Sequence, residues 1–404
     1  MHKNRIFLAV SGGHFAVDVL NSTGAVLLAV LKEPLGLSYA QIGLAITVYL
    51  LIGSLSQPLF GWLSDRATGH LMLLAAISVL WMALCFSLVA LAPSWNLLLP
   101  VFLLAPLGSA LFHPIGAATA TASVPERASS ATSVFFFSGQ IGLAVGPFLA
   151  GALAGSFGAP GLLPLTLFAL GPAALLLLAR RDEATLAPRR RGGSASRSST
   201  SASNWTVIGV SMVAAFIVLV AVRSSVQAVY QAYLPQLFQS RGWEPALFGL
   251  LAGVFMAAGA IGQLVSGVLA DRYGMRIAVV LPLLLGVPAG LFCLVTPSVA
   301  GAFLGCAAAG FLVGGQHSVL VVHAQRLLPV KQGFAAGLIL GFTFATGAIG
   351  TWLAGQAADT VGLQTVMLWA TLLGLPAALL ALSLSGRPRP APVPAAAAAV
   401  PSGD

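Results

Sequence analysis

Apolar stretches of about twenty residues, each long enough to cross a bilayer as a helix, alternate along this chain with short polar breaks. The alternation predicts twelve spans, at residues 5–31, 39–64, 71–92, 95–122, 128–154, 160–181, 205–238, 246–270, 276–296, 299–325, 330–357 and 363–384. Residues 182–204 interrupt it with Arg and Ser and no apolar period, which predicts a flexible hydrophilic linker. Residues 386–404 are rich in Pro and Ala and predict a disordered tail. The expected organisation is one six-helix bundle over 1–181, the linker over 182–204, a second six-helix bundle over 205–385, and the tail. The first apolar run starts near Ile6 and lasts to about Leu31 without a convincing small-residue cleavage site, so it reads as a retained helix rather than a signal peptide.

A repeat underlies the pattern. Gly61-Trp62-Leu63-Ser64-Asp65-Arg66 returns as Gly267-Val268-Leu269-Ala270-Asp271-Arg272, offset by 206 residues, and both copies sit where an apolar run ends. The same offset pairs Gln57 with Gln263, Gly53 with Gly259, Gly43 with Gly249 and Gly108 with Gly314. Two copies of one unit are therefore expected: an all-α membrane protein of twelve transmembrane helices in two pseudo-symmetric six-helix bundles.

Composition agrees with this class. Apolar residues make up 58% of the chain and charged residues 7%, against about 25% charged in soluble domains. The net charge of +9 would suggest nucleic acid only if it formed a patch. Instead it follows topology: with the N-terminus inside, all 19 Lys and Arg except Lys32, Arg223 and Arg241 fall in inside segments or the tail. That split obeys the positive-inside rule for an even number of spans with both termini cytoplasmic, as in a bacterial inner membrane protein. Cys85, Cys293 and Cys306 lie inside apolar runs without metal-ligand spacing. No phosphate-binding loop of Walker type and no nucleophile elbow occur. Neither an enzyme nor a cofactor or metal is expected; a lipid bilayer and a small-molecule substrate are, in a monomer.

Two six-helix halves with Gly-x-x-x-Asp-Arg after spans two and eight resemble the major facilitator superfamily. Gly142, Gly146, Pro147 and Gly151 in span five resemble the helix motif of its antiporters. Three further stretches resemble the fosmidomycin-resistance exporters: His14-Phe15-Ala16-Val17-Asp18, Gln57-Pro58-Leu59-Phe60-Gly61 and Gly108-Ser109-Ala110-Leu111-Phe112-His113-Pro114. The first loop, Asp65-Arg66-Ala67-Thr68-Gly69-His70, departs from the family by lacking a basic run after its glycine. The resemblance implies a major facilitator fold and export of fosmidomycin-like phosphonates or other drugs.

Charges in hydrocarbon cost several kcal/mol and ask for a reason. Span one carries Ser11, His14, Asp18, Asn21 and Ser22 at steps that share one helix face, and Asp18 is the one acid deep inside a span. Three readings stay open for Asp18: a proton carrier assisted by His14, a latch paired with Arg223, or a buried pair that only fixes packing. Span seven carries Arg223, Gln227 and Gln231 at spacing four, and Gln227 corresponds to Asn21 at the repeat offset. A cavity between repeats is where such proteins bind, so Asn21, His113, Gln140, Arg223, Gln227, Gln231 and His317 are the expected lining. Arg223 suits phosphonate or carboxylate oxygens. Gly61, Asp65 and Arg66 with Gly267, Asp271 and Arg272 are expected to hold a cytoplasmic gate, through Arg pairing or helix-end capping.

These readings converge on a proton-coupled secondary transporter exporting a small drug-like or anionic compound by alternating access. An uptake symporter for a metabolite is the alternative within transport. A non-transporting receptor or sensor is the alternative outside it, disfavoured because no sizeable soluble domain accompanies the spans.

Overall fold

The computed structural model describes residues 4–67, 69–185, 210–327 and 332–384, and among them no strand occurs. Helices α1 (Arg5–Lys32), α2 (Tyr39–Arg66) and α3 (Leu71–Ala90) are each one span, and α4 (Trp95–Leu104) with α5 (Pro106–Ser123) makes the fourth. The fifth is α6 (Ala128–Phe157), and α7 (Leu163–Phe168) with α8 (Leu170–Ala179) is the sixth. Then come α9 (Val210–Ser240), α10 (Pro245–Tyr273) and α11 (Met275–Val295). The tenth span is α12 (Val299–Gly314) with α13 (His317–Leu327), the eleventh α14 (Gln332–Val361), and the twelfth α15 (Leu363–Leu372) with α16 (Gly374–Ala381). The twelve spans and their order agree with the hydropathy pattern.

The two-part spans break where the sequence removes backbone hydrogen bonds or side-chain support. Pro106 opens α5, Gly171 and Pro172 follow the start of α8, Gly314 ends α12 with Gly315 and Gln316 separating it from α13, and Gly374 opens α16. Helix α2 begins on a capping box, Ser38 Oγ accepting from Gln41 N while Gln41 Oε1 accepts from Ser38 N.

One expectation changes at the linker. Its first residues are held, because buried Glu183 accepts hydrogen bonds from Leu71 N at 2.6 Å and Met72 N at 3.3 Å. A carboxylate at a helix N-terminus satisfies donors that have no intrahelical partner and meets the positive end of the dipole. The rest of the expected linker, 186–204, and the tail 386–404 lie outside the described residues.

The bundles meet along two related seams, α2 against α14 and α6 against α10. Gly151 and Gly249 let the second seam close to backbone contact: a Cβ on Gly151 would collide with Pro245 O, and one on Gly249 with Pro147 O. Hydrogen bonds across the seams gather toward the face opposite the chain's N-terminus. Thr47 Oγ1 donates to Ala348 O at 2.6 Å, and Tyr233 Oη lies 3.1 Å from Tyr39 O of the other bundle and 3.0 Å from Thr351 O of its own. Gln236 Nε2 donates to Ala25 O at 3.2 Å. At the rim, Asp359 caps α2 from the other bundle, taking Tyr39 N at 2.8 Å and Ala40 N at 2.9 Å.

Toward the N-terminal face the seam opens. From Leu51 to Arg66 only Ser64 is buried, and Leu264 and Val268 of α10 are 68% and 66% exposed. The bundles are therefore sealed at the far face and splayed at the near one.

Hydrogen bonds to a charged acceptor are among the stronger ones, so Asp359→Asn should raise the population with an open far face by roughly three- to tenfold. Distances between spin labels on the α1–α2 and α9–α10 loops would read the change. An unaltered distribution would show that the cap does not hold this seal.

Candidate functional site

Asp18 enters the apolar interior on α1, and α2, α5 and α6 each supply something to its surroundings. His14, four residues earlier, lies on the same helix face, with Nε2 at 3.2 Å from Asp18 Oδ2. His113 of α5 places Nε2 at 3.5 Å from Asp18 Oδ1. Asn21 Nδ2 donates to the same Oδ1 at 3.0 Å and to Ser109 Oγ at 2.9 Å. Tyr49 of α2 donates to Asn21 Oδ1 at 2.8 Å. Three helices thus build one hydrogen-bonded network around a single carboxylate.

Both histidines are oriented from behind. His14 Nδ1 lies 2.7 Å from Phe135 O on α6, and His113 Nδ1 lies 2.8 Å from Ser109 O one turn earlier on α5. A carbonyl oxygen can only accept, so each Nδ1 carries its hydrogen and each Nε2 is left to face Asp18. The His14 ring stacks on Phe135 with centroids 4.1 Å apart, and the two imidazoles meet edge-on at 5.0 Å. The side chains of His14 and Asp18 are 3% and 7% exposed, while that of His113 is 26% exposed. The donor atoms of the three lie within 4.8 Å of one another, close enough to share protons and, by distance alone, to accept a small cation.

Gly139 makes the arrangement possible. A Cβ there would lie 2.5 Å from Asp18 Oδ2 and 2.5 Å from His14 Cε1. Gly142 and Gly146 continue the same close approach of α6 to α1, against Phe15 O and Ser22 Oγ respectively. The motif helix α6 runs unbroken through Pro147.

The structure brings together four expected residues, His14, Asp18, Asn21 and His113. It does not bring Arg223 to them. Arg223 is 1% exposed, and its Nη2 donates to Val313 O at 2.9 Å and Gly314 O at 3.2 Å. The latch with Asp18 is therefore not formed here, and Arg223 does not line the space between bundles. The carbonyls of a helix's last turn lack intrahelical donors and carry the negative end of its dipole, which is what draws the guanidinium to the end of α12. Among the described residues its Nε has no hydrogen-bond partner, and the side chain borders a small apolar void with Val226, Tyr230, Leu283 and Thr371.

The other expected lining residues are spread along the bundles. Gln140, Gln227 and His317 are half-buried, and Gln231 Nε2 lies 3.4 Å from Met256 Sδ. At the near face, Asp65 and Asp271 are exposed in the last turns of α2 and α10. Arg66 folds back over the Trp62 ring at 3.7 Å and donates to Trp62 O at 3.3 Å, and Arg272 lies 5.6 Å over Tyr273. Gly61 and Gly267 sit one turn earlier on these helices.

Sequence reasoning missed Ser109, Tyr49, Gly139 and the Phe135 carbonyl. Ser109 was findable, standing four residues before His113 on one helix. The others depend on how α2 and α6 lie against α1, which no local pattern records.

Comparison with known proteins places this architecture. The family model described as Major Facilitator Superfamily matches residues 10–243 and 215–402. The Fosmidomycin resistance protein of Escherichia coli (strain K12) is 28% identical over 375 residues, covering 89% of this chain and 87% of that protein. YfnC of Bacillus subtilis (strain 168), described as an uncharacterized MFS-type transporter, is 27% identical over 374 residues, covering 90% and 88%. Among solved structures, a bacterial homologue of the human lysosomal transporter Spinster, inward-facing and occupied, superposes with a TM-score of 0.71 at 17% identity over 93% of this chain and 95% of that one. A mutant of the nucleoside transporter NupG gives 0.73 at 14% identity, covering 94% and 99%.

Overpacking a tight helix contact costs about 1–3 kcal/mol, so Gly139→Ala should lower thermal stability in detergent by that order and reduce transport with it. A variant of unchanged stability and activity would mean α6 can move away from Asp18 freely. Arg223→Gln removes a buried cation that serves the end of α12. It should lower stability while leaving the ratio of anionic to neutral substrate transport unchanged, and selective loss of anions would contradict this placement.

Proposed function

The chain belongs to the Major Facilitator Superfamily, and we propose that this secondary transporter exports a small drug-like or anionic compound in exchange for protons. The observation that carries the reading is Asp18, a carboxylate inside a span, held between the Nε2 atoms of two histidines. Such a group in hydrocarbon is costly unless it serves transport or a fixed partner. Its partners here are themselves titratable, which suits a carrier better than a strut.

The cycle follows from the two seams. Among the described cations, Arg5, Arg66, Arg127, Arg272 and Arg276 lie toward the near face, and Lys32 and Arg241 toward the far one. By the positive-inside rule the near face is cytoplasmic, so the splayed seam opens inward. In that state the cluster gives up protons to the cytoplasm and substrate enters between the bundles, among Asn21, Gln140, Gln227, Gln231 and His317. The bundles then rock, the near face closes, and substrate leaves as protons arrive from the far side. The gate residues Asp65, Arg66, Asp271 and Arg272, with Gly61 and Gly267, would hold the near face shut in that second state. An inward proton gradient supplies the work, at about 2.3 kcal/mol per charge per 100 mV.

Phosphonates of the fosmidomycin kind are the first substrates to test, since a relative of similar length carries that name. In proteoliposomes, Asp18→Asn should reduce pH-gradient-driven fosmidomycin flux by a hundredfold or more on the order of a lost essential group, with the protein still monodisperse. Flux driven equally in the variant and the wild type would remove the carrier from this residue.

A further inference from the structure

We infer that His14, Asp18 and His113 form a two-proton site whose entry is His113. The inference rests on the proton-coupled reading above and adds to it a proton count and a route.

The count comes from hydrogen positions that the backbone dictates. Phe135 O and Ser109 O fix a hydrogen on Nδ1 of His14 and of His113. A neutral ring so fixed turns a bare lone pair on Nε2 toward the carboxylate. Lone pair against carboxylate oxygen at 3.2 Å and 3.5 Å is repulsive unless a proton lies between. The two contacts use different oxygens, Oδ2 and Oδ1, so one proton cannot close both. The arrangement seen here is therefore the doubly loaded one. Two imidazolium rings and one carboxylate sum to +1; losing one proton leaves the cluster neutral, and losing both leaves −1.

The route comes from burial. His14 is enclosed between Phe135 and Phe112, with ring centroids at 4.1 Å and 6.2 Å. Asp18 stands between it and His113, the one member of the three with a quarter of its side chain exposed. A proton on His14 reaches the outside by passing through the carboxylate to His113. From α2 the network is met by Tyr49, through Asn21. From α6 it is met by Phe135, Phe136 and Gly139, none of which titrates. His113 thus acts as a proton port, and the substrate-lining role expected of it from sequence gives way to this one.

The test reads hydrogens directly. Full-length protein labelled with ¹⁵N-histidine, in detergent micelles, is followed by NMR over roughly pH 5–9, the range in which histidine titrates. His14→Gln and His113→Gln assign the signals. Both rings should pass from imidazolium to the Nδ1–H tautomer as pH rises. A ring that stays neutral throughout, or rests as the Nε2–H tautomer, overturns the two-proton site whatever the transport data say. A second measurement finds, in proteoliposomes with fosmidomycin as the probe, the membrane potential that cancels net flux at a fixed pH gradient. The expected ratio is two protons per substrate for the wild type, whereas His113→Gln, whose amide keeps a donor toward Asp18 but can neither titrate nor relay a proton, should lose gradient-driven flux. Gradient-driven flux with one proton in the wild type, or gradient-driven flux kept in the variant, sinks the two-proton site alone. Absence of any gradient-driven flux in the wild type sinks the proton-coupled reading instead.

Discussion

A carboxylate in hydrocarbon needs its lone pairs met, and the N-terminal bundle is arranged about that need. Asp18 draws α5 to α1 through His113 and α2 to α1 through Asn21 and Tyr49. It draws α6 close enough that only a glycine fits at position 139. The histidines are in turn pinned by carbonyls of α5 and α6, so orientation is relayed from backbone to ring to acid. Buried polar networks of this kind hold one geometry when fully satisfied and fail when partly so.

The C-terminal bundle faces the same difficulty with the opposite sign and solves it differently. Arg223 sits one residue before the repeat-related counterpart of Asp18, Ser224, yet among the described residues no acid pairs with it. It takes the unpaired carbonyls at the break between α12 and α13. Duplication preserved the helix lengths, the seams and the loop motif but not the chemistry inside each bundle. One half carries a titratable cluster and the other a permanent cation that serves a helix end. In the cycle proposed above, the first half responds to protons and the second turns against it.

The seams explain how such halves can rock. Helix contacts in a membrane depend on close backbone approach rather than on expelling water. Gly151 and Gly249 provide that approach at the far end of the seam. A few specific hydrogen bonds, from Asp359, Tyr233, Thr47 and Gln236, then select the closed far face. The near ends of α2 and α10 carry exposed apolar side chains instead.

The order of the twelve spans, the duplication and the membrane setting were legible from the chain, because hydrophobic length and a repeat offset are one-dimensional signals. The stripe His14, Asp18, Asn21 was legible too, since helical periodicity puts those residues on one face whatever surrounds it. Which groups meet that face was not. Tyr49, Gly139 and the Phe135 carbonyl come to Asp18 from helices far away in sequence, and Arg223 turned from Asp18 to the end of α12 because unsatisfied carbonyls were nearer than a distant acid. Local pattern sets what a helix presents; only the packing of several helices, which brings buried donors and acceptors to partners in a medium that offers no water, decided what each polar group touches.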